Sequence, residues 1–104
     1  MKLSELEQIL KLACRDTYER EAPAGLTRFI VWHRYNLTPI HGDDSRVLEL
    51  DRVQLDVYYQ RPTDTLLEDL LNILKYWRVP FNIQDITWED ERQLNRAILQ
   101  LTAV

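Results

Sequence analysis

The chain has 104 residues, 45% of them apolar, and a net charge of −4, which suits one domain with a core that needs no metal or disulfide. The charge falls −1, 0 and −3 over residues 1–22, 23–62 and 63–104, with no basic run to grip phosphate, so sequence-specific DNA binding is not expected. No stretch nears the roughly 18 consecutive apolar residues of a membrane span, and the half-polar start MKLSELEQIL reads as neither leader nor anchor.

Ser4 and Glu7 have capping-box spacing, and Leu3, Leu6, Ile9, Leu10 and Ala13 share a helical face. A first helix is expected over 4–15, with room to run to 20 before Ala22-Pro23-Ala24-Gly25 stops it. The single cysteine, Cys14, has no internal disulfide partner. It reads as a half-buried structural thiol in a protein made inside a cell.

Residues 28–35, RFIVWHRY, are aromatic and β-branched, as strands are. Ile30 and Trp32 fall on one side, and Phe29, Val31, His33 and Tyr35 on the other. Both sides are largely apolar, so the strand is expected to be central. Residues 36–45 form a loop with Pro39 and Gly42-Asp43-Asp44 as turn chemistry.

The run 46–60, RVLELDRVQLDVYYQ, then alternates Val53, Leu55, Val57 and Tyr59 with Gln54, Asp56 and Tyr58. Leu48 and Leu50 alternate in the opposite phase, so a register break is expected near Asp51-Arg52. At about 3.3 Å per residue the run could reach on the order of 50 Å. Paired with its predecessor, it makes a long β-hairpin.

Arg61-Pro62-Thr63-Asp64 ends the strand, and Thr65 with Glu68 suggests a second capping box. Leu66, Leu67, Leu70, Leu71, Leu74 and Trp77 form a broad apolar stripe, with Trp77 placed in the core. Residues 79–83 read as a short strand and 85–91 as an acidic turn around Trp88. In 92–104, Ala97, Leu99, Leu101 and Ala103 fit a strand, while Leu94, Ala97, Ile98 and Leu101 fit a helix equally well. The fold class is α+β: a mostly antiparallel sheet with two helices on one face, in a single domain over 1–104.

Chemistry-bearing patterns are few. His33 and His41 have no metal-ligand spacing, and Asp43-Asp44 and Glu89-Asp90-Glu91 read as solvated turns. Two glycines cannot build a phosphate-cradling loop. Ser4 and Ser45 lack an activating partner in sequence. No catalytic residue, cofactor or metal is expected. The aromatic residues Trp32, Tyr35, Tyr58, Tyr59, Tyr76, Trp77 and Trp88 exceed what a small core needs, and such side chains favour interfaces. For Tyr58, interface contact and packing beneath a helix fit equally.

In order along the chain stand FIVWHRY, TPIHGDD, VQLDVY, RPTD opening an amphipathic helix, VPF and WEDER. This order resembles the small tail-completion (tail-terminator, or tail-to-head joining) proteins of long-tailed bacteriophages and prophages. The resemblance covers nearly the whole chain and implies a final strand after Arg92, completing the order α-β-β-α-β-β. It implies a homo-oligomeric ring, expected to be a hexamer, that caps the tail tube at its head-proximal end and joins it to the head connector or stopper. The protein would be made in the bacterial host cytoplasm and reside in the virion, with DNA passing through the lumen without specific binding. The expected oligomer interface is Leu48, Leu50, Arg52, Gln54 and Tyr58. The expected partner-contact loop carries His41, Gly42, Asp43 and Asp44. Another head–tail connector component, or a small α+β ligand-binding or regulatory domain, is the alternative.

Overall fold

The computed structural model describes residues 3–35 and 51–103. In chain order it contains α1 (Leu3–Ala13), β1 (Thr17–Glu19), β2 (Phe29–Tyr35), β3 (Asp51–Tyr59), α2 (Leu66–Tyr76), β4 (Phe81–Glu89) and β5 (Leu94–Ala103). The fold is α+β, with a mixed five-stranded sheet in the order β1-β2-β3-β5-β4. β1 pairs parallel with β2, and the other three pairings are antiparallel.

The pleat decides which residues the helices cover. Ile30 and Trp32 of β2, Val53, Leu55, Val57 and Tyr59 of β3, and Ala97, Leu99 and Leu101 of β5 form one buried layer. Leu6 and Leu10 from α1 and Leu66, Leu70 and Leu74 from α2 close over it. Each fully buried leucine stabilises the fold by about 2 kcal/mol relative to exposure. The alternation expected in β3 is thus present, with all four apolar residues on the helix side.

Four expectations about the elements need correction. The expected order lacks β1. The helix ends at Ala13, and the Thr17 hydroxyl donates to the Cys14 carbonyl at 2.7 Å, turning the chain into a three-residue strand. Three residues are too few for a periodic signal. Arg20 N–H to the Trp32 carbonyl (2.8 Å) and Ile30 N–H to the Asp16 carbonyl (2.9 Å) tie β1 to β2.

The capping boxes do not form as expected. Ser4 stands inside α1, which begins at Leu3. At α2 the Thr65 side chain makes no cap and instead donates to Asp69 Oδ2 at 3.1 Å. Asp64 Oδ1 accepts from the Leu66 N–H at 2.9 Å, doing the capping one residue early.

Trp77, expected in the core, is 48% exposed. α2 ends in a Schellman motif: Val79 N–H bonds to the Leu74 carbonyl (2.9 Å) and Arg78 N–H to that of Lys75 (3.1 Å). Arg78 takes φ 54° there, so the chain reverses and Val79, 3% exposed, occupies the core position instead.

The short strand and acidic turn expected over 79–91 are one nine-residue strand, β4. Its register on β5 shifts between Ile83 and Asp85, with Gln84 the extra residue of a bulge. β5 itself is a strand of ten residues. The upstream half of the expected long strand, the register break's upstream side and the loop 36–45 lie outside the described residues.

Candidate functional site

The sheet face away from the helices has two different halves. At one end, Phe29, Val31, Tyr58 and Leu94 form a second small core under Ala22 and Leu26. The Tyr58 ring stacks on Phe29 with centroids 4.5 Å apart. The guanidinium carbons of Arg92 and Arg96 stand 5.1 and 5.8 Å from the Tyr58 centroid, within cation–π range. Arg92 Nη1 also donates to the Tyr58 hydroxyl (3.3 Å) and to Glu89 Oε1 (2.8 Å). Burial pushes the Tyr58 phenol above its ordinary value despite the Arg96 charge.

Toward the other end, Asp56 accepts from Arg96 Nη2 (3.0 Å) and from Gln54 Nε2 (3.1 Å). Beyond it lies a shallow depression of about 510 Å³ lined by His33, Tyr35, Gln54, Gln84, Ile98 and Gln100. Gln84 donates to Gln100, which in turn bonds the Tyr35 hydroxyl. Gln84, Gln100 and Tyr35 are thus bonded to one another, Gln54 is held by Asp56, and the His33 ring lies 6.3 Å from that of Tyr35. They can present donors and acceptors to a polar molecule, but they form no nucleophile–base pair.

The other exposed feature is apolar. Tyr76, Trp77, Ile83, Ile86 and Trp88 are 40–79% exposed, and among the described residues only Leu12 is another large hydrophobic so exposed. The register explains why. Ile83, Ile86 and Trp88 pair with Leu99, Ala97 and Asn95, so they share the helix side of the sheet. The helices close over β2, β3 and β5, leaving β4 at the rim. Tyr76 and Trp77 end α2 at the Phe81 end of β4 and pack edge-to-face, centroids 5.5 Å apart. Five large side chains therefore stay uncovered, two at the end of α2 and three along the rim strand β4.

No family model matches the chain, and no curated protein matches it.

Of the residues expected at an interface, Arg52 is exposed, Gln54 is half-buried in the amide network, and Tyr58 is only 5% exposed beneath Phe29, Arg92 and Arg96. Tyr58 offers a partner little area. Leu48, Leu50, His41, Gly42, Asp43 and Asp44 lie outside the described residues. The flank residues Ile83 and Ile86 were not anticipated from sequence, and the signal that could have found them is the phase switch between Ile83 and Ile86. Among the described residues no three His, Cys, Asp or Glu side chains gather as metal ligands. Among them, too, no helix is long and apolar enough to cross a membrane. Cys14 is buried and unbridged, with Sγ 3.7 Å from the Asp16 carbonyl. Burial raises its thiol pKa above the ordinary value.

Proposed function

We propose that this chain is a structural subunit of a phage or prophage neck. It forms a ring, a hexamer in this reading, that caps the head-proximal end of the tail tube and joins the tail to the head connector. It has no catalytic role. Its partners are copies of itself, the tail tube protein and the connector or stopper, and DNA passes through the ring without specific binding. The order of sequence motifs supports this reading. The observation that carries it is the uncovered flank of Tyr76, Trp77, Ile83, Ile86 and Trp88, because an apolar patch of this kind on a small domain is a protein-contact surface. The net charge of −4 suits a conduit that must not hold DNA.

The test is to add purified protein to isolated tail tubes and image them by negative stain. Rings at one tube end, and none with Trp88→Glu, are expected. Tubes left bare by a folded protein would overturn the proposal.

The amide-lined depression favours a second reading, a small ligand-binding domain. A thermal-shift screen of polar metabolites that raises the melting temperature, with the rise lost in Gln100→Ala, would support it over the first.

A further inference from the structure

The uncovered flank has a charge polarity along its length. At the Phe81 end of β4, where α2 stops, stand Lys75 and Arg78, both exposed. Past the other end of the strand stand Asp90 and Glu91, also exposed. Glu89 is engaged by Arg92, but among the described residues no ion pair involves Lys75, Arg78, Asp90 or Glu91. Tyr76 and Trp77 stand with the cations, and Ile83, Ile86 and Trp88 lie between the charged ends along a strand of nine residues, or about 30 Å at 3.3 Å per residue.

A surface with cations at one end, anions at the other and an apolar middle is complementary to itself when inverted. A two-fold axis across the middle of β4 sets two copies antiparallel. It places the Lys75/Arg78 end of each beside the Asp90/Glu91 end of the other. The area is adequate as well. With aromatic side chains burying 150–250 Å² each, the five residues leave on the order of 500 Å² uncovered. That is most of the roughly 800 Å² per partner of a standard interface.

The backbone edge of β4 is not the pairing element. Gln84 bulges out of the ladder, and the Asp85 carboxylate accepts the Ile86 N–H at 2.9 Å. Bulges and edge carboxylates discourage strand addition. The face is what remains available.

We infer that the free protein pairs with a second copy of itself, face to face through Tyr76, Trp77, Ile83, Ile86 and Trp88, with the charged ends matched by a two-fold axis. Such a contact closes at two copies and so differs from the head-to-tail contact a ring repeats. It uses the same flank as the neck reading but concerns the free protein, whose pair must open before that flank meets a tail, so pairing without any effect on tails would leave it standing.

Light scattering on the full chain tests it. The wild type is expected at twice the 12.5 kDa chain mass, and Trp88→Glu at the monomer mass with a single cooperative thermal melt, lowered only by the lost pairing. Lys75→Glu with Arg78→Glu makes both ends acidic, and Asp90→Lys with Glu91→Lys makes both ends basic. Each variant alone should dissociate at least tenfold more readily, about 1.4 kcal/mol. An equimolar mixture of the two should form mixed pairs at wild-type strength. A monomer at every concentration, a mass above two copies, pairs that survive Trp88→Glu, or a mixture that stays monomeric would each overturn the inference.

Discussion

Arg96 on β5 reaches diagonally across to Asp56 on β3, Nη2 to Oδ2 at 3.0 Å, beside a tyrosine ring that both Arg96 and Arg92 overhang. Asp56 is 8% exposed, so its carboxylate depends on this guanidinium and on Gln54. Replacing Arg96 with Met keeps the stem packed but strands the carboxylate. The cost should be about 2 kcal/mol, below the range for a fully buried pair because the Arg96 side chain is partly exposed. The double variant Arg96→Met with Asp56→Asn should recover most of it. Urea denaturation of the four proteins gives the coupling directly.

Asp64 links stability to acid. Burial alone would raise its pKa, but the hydrogen bond from Arg28, the Leu66 N–H and the Arg28 charge outweigh that and hold it below the ordinary carboxylate value. A depressed folded pKa means that the stabilisation is fully present above the unfolded value of about 4. It is lost as pH falls through the folded value. Asp64→Asn should therefore lower the urea midpoint at neutral pH, and the gap to wild type should close on acidification below about pH 4. A gap that persists unchanged in acid would remove the ion pair as its source.

At the end of α2, Arg78 holds φ 54°, a conformation that costs a side-chain-bearing residue about 1–2 kcal/mol and glycine little. Both Schellman hydrogen bonds come from backbone and survive substitution. In the Trp88→Glu background, where pairing does not contribute, Arg78→Gly should raise stability by about 0.5–1 kcal/mol after the extra unfolded-state entropy of glycine is counted. A thermal melt reads this, and a lowered melting temperature would mean that the Arg78 side chain contributes more than its backbone strain costs.

Cys14 offers a probe of the α1 contact. It is 4% exposed, and burial raises its pKa, so little reactive thiolate is available in the folded state. A thiol reagent at mildly alkaline pH should modify the native protein at least tenfold more slowly than the urea-unfolded chain. Equal rates would mean that α1 separates readily from the sheet.

What was legible in the sequence followed from unbroken periodicity. Val53 to Tyr59 and Leu66 to Leu74 each keep one period: the first buries every apolar residue its pattern marks, and the second buries Leu66, Leu70 and Leu74 with Leu67 and Leu71 packed partly buried beside them. Thr17–Glu19 was illegible because a three-residue parallel strand is fixed by its partner β2 and not by its own pattern. Trp77 misled because the stripe runs on to the C-cap residue, whereas the chain reverses at Arg78 and Val79 fills the core position. The flank was hidden for a subtler reason. Phe81 and Ile83 lie in one phase and Ile86 and Trp88 in the other, which reads as a short strand followed by a turn. The bulge at Gln84 reconciles the two phases on one face.

That reconciliation can be tested by deletion. Without Gln84 the strand would read Phe-Asn-Ile-Asp-Ile-Thr-Trp, a regular alternation. Ile83, Ile86 and Trp88 would keep their present partners Leu99, Ala97 and Asn95 on β5. The deletion should therefore leave the fold and its melting temperature close to wild type. It would also flatten an edge that the bulge now twists, and flat edges invite strand addition. The deletion variant should form large assemblies that bind an amyloid dye on prolonged incubation, while the wild type does not. If the deletion unfolds the protein, then Gln84 holds β4 in register through its bond to Gln100 at 3.1 Å. Gln84→Ala, which keeps the bulge and removes the amide, separates the two roles: it should fold and remain dispersed.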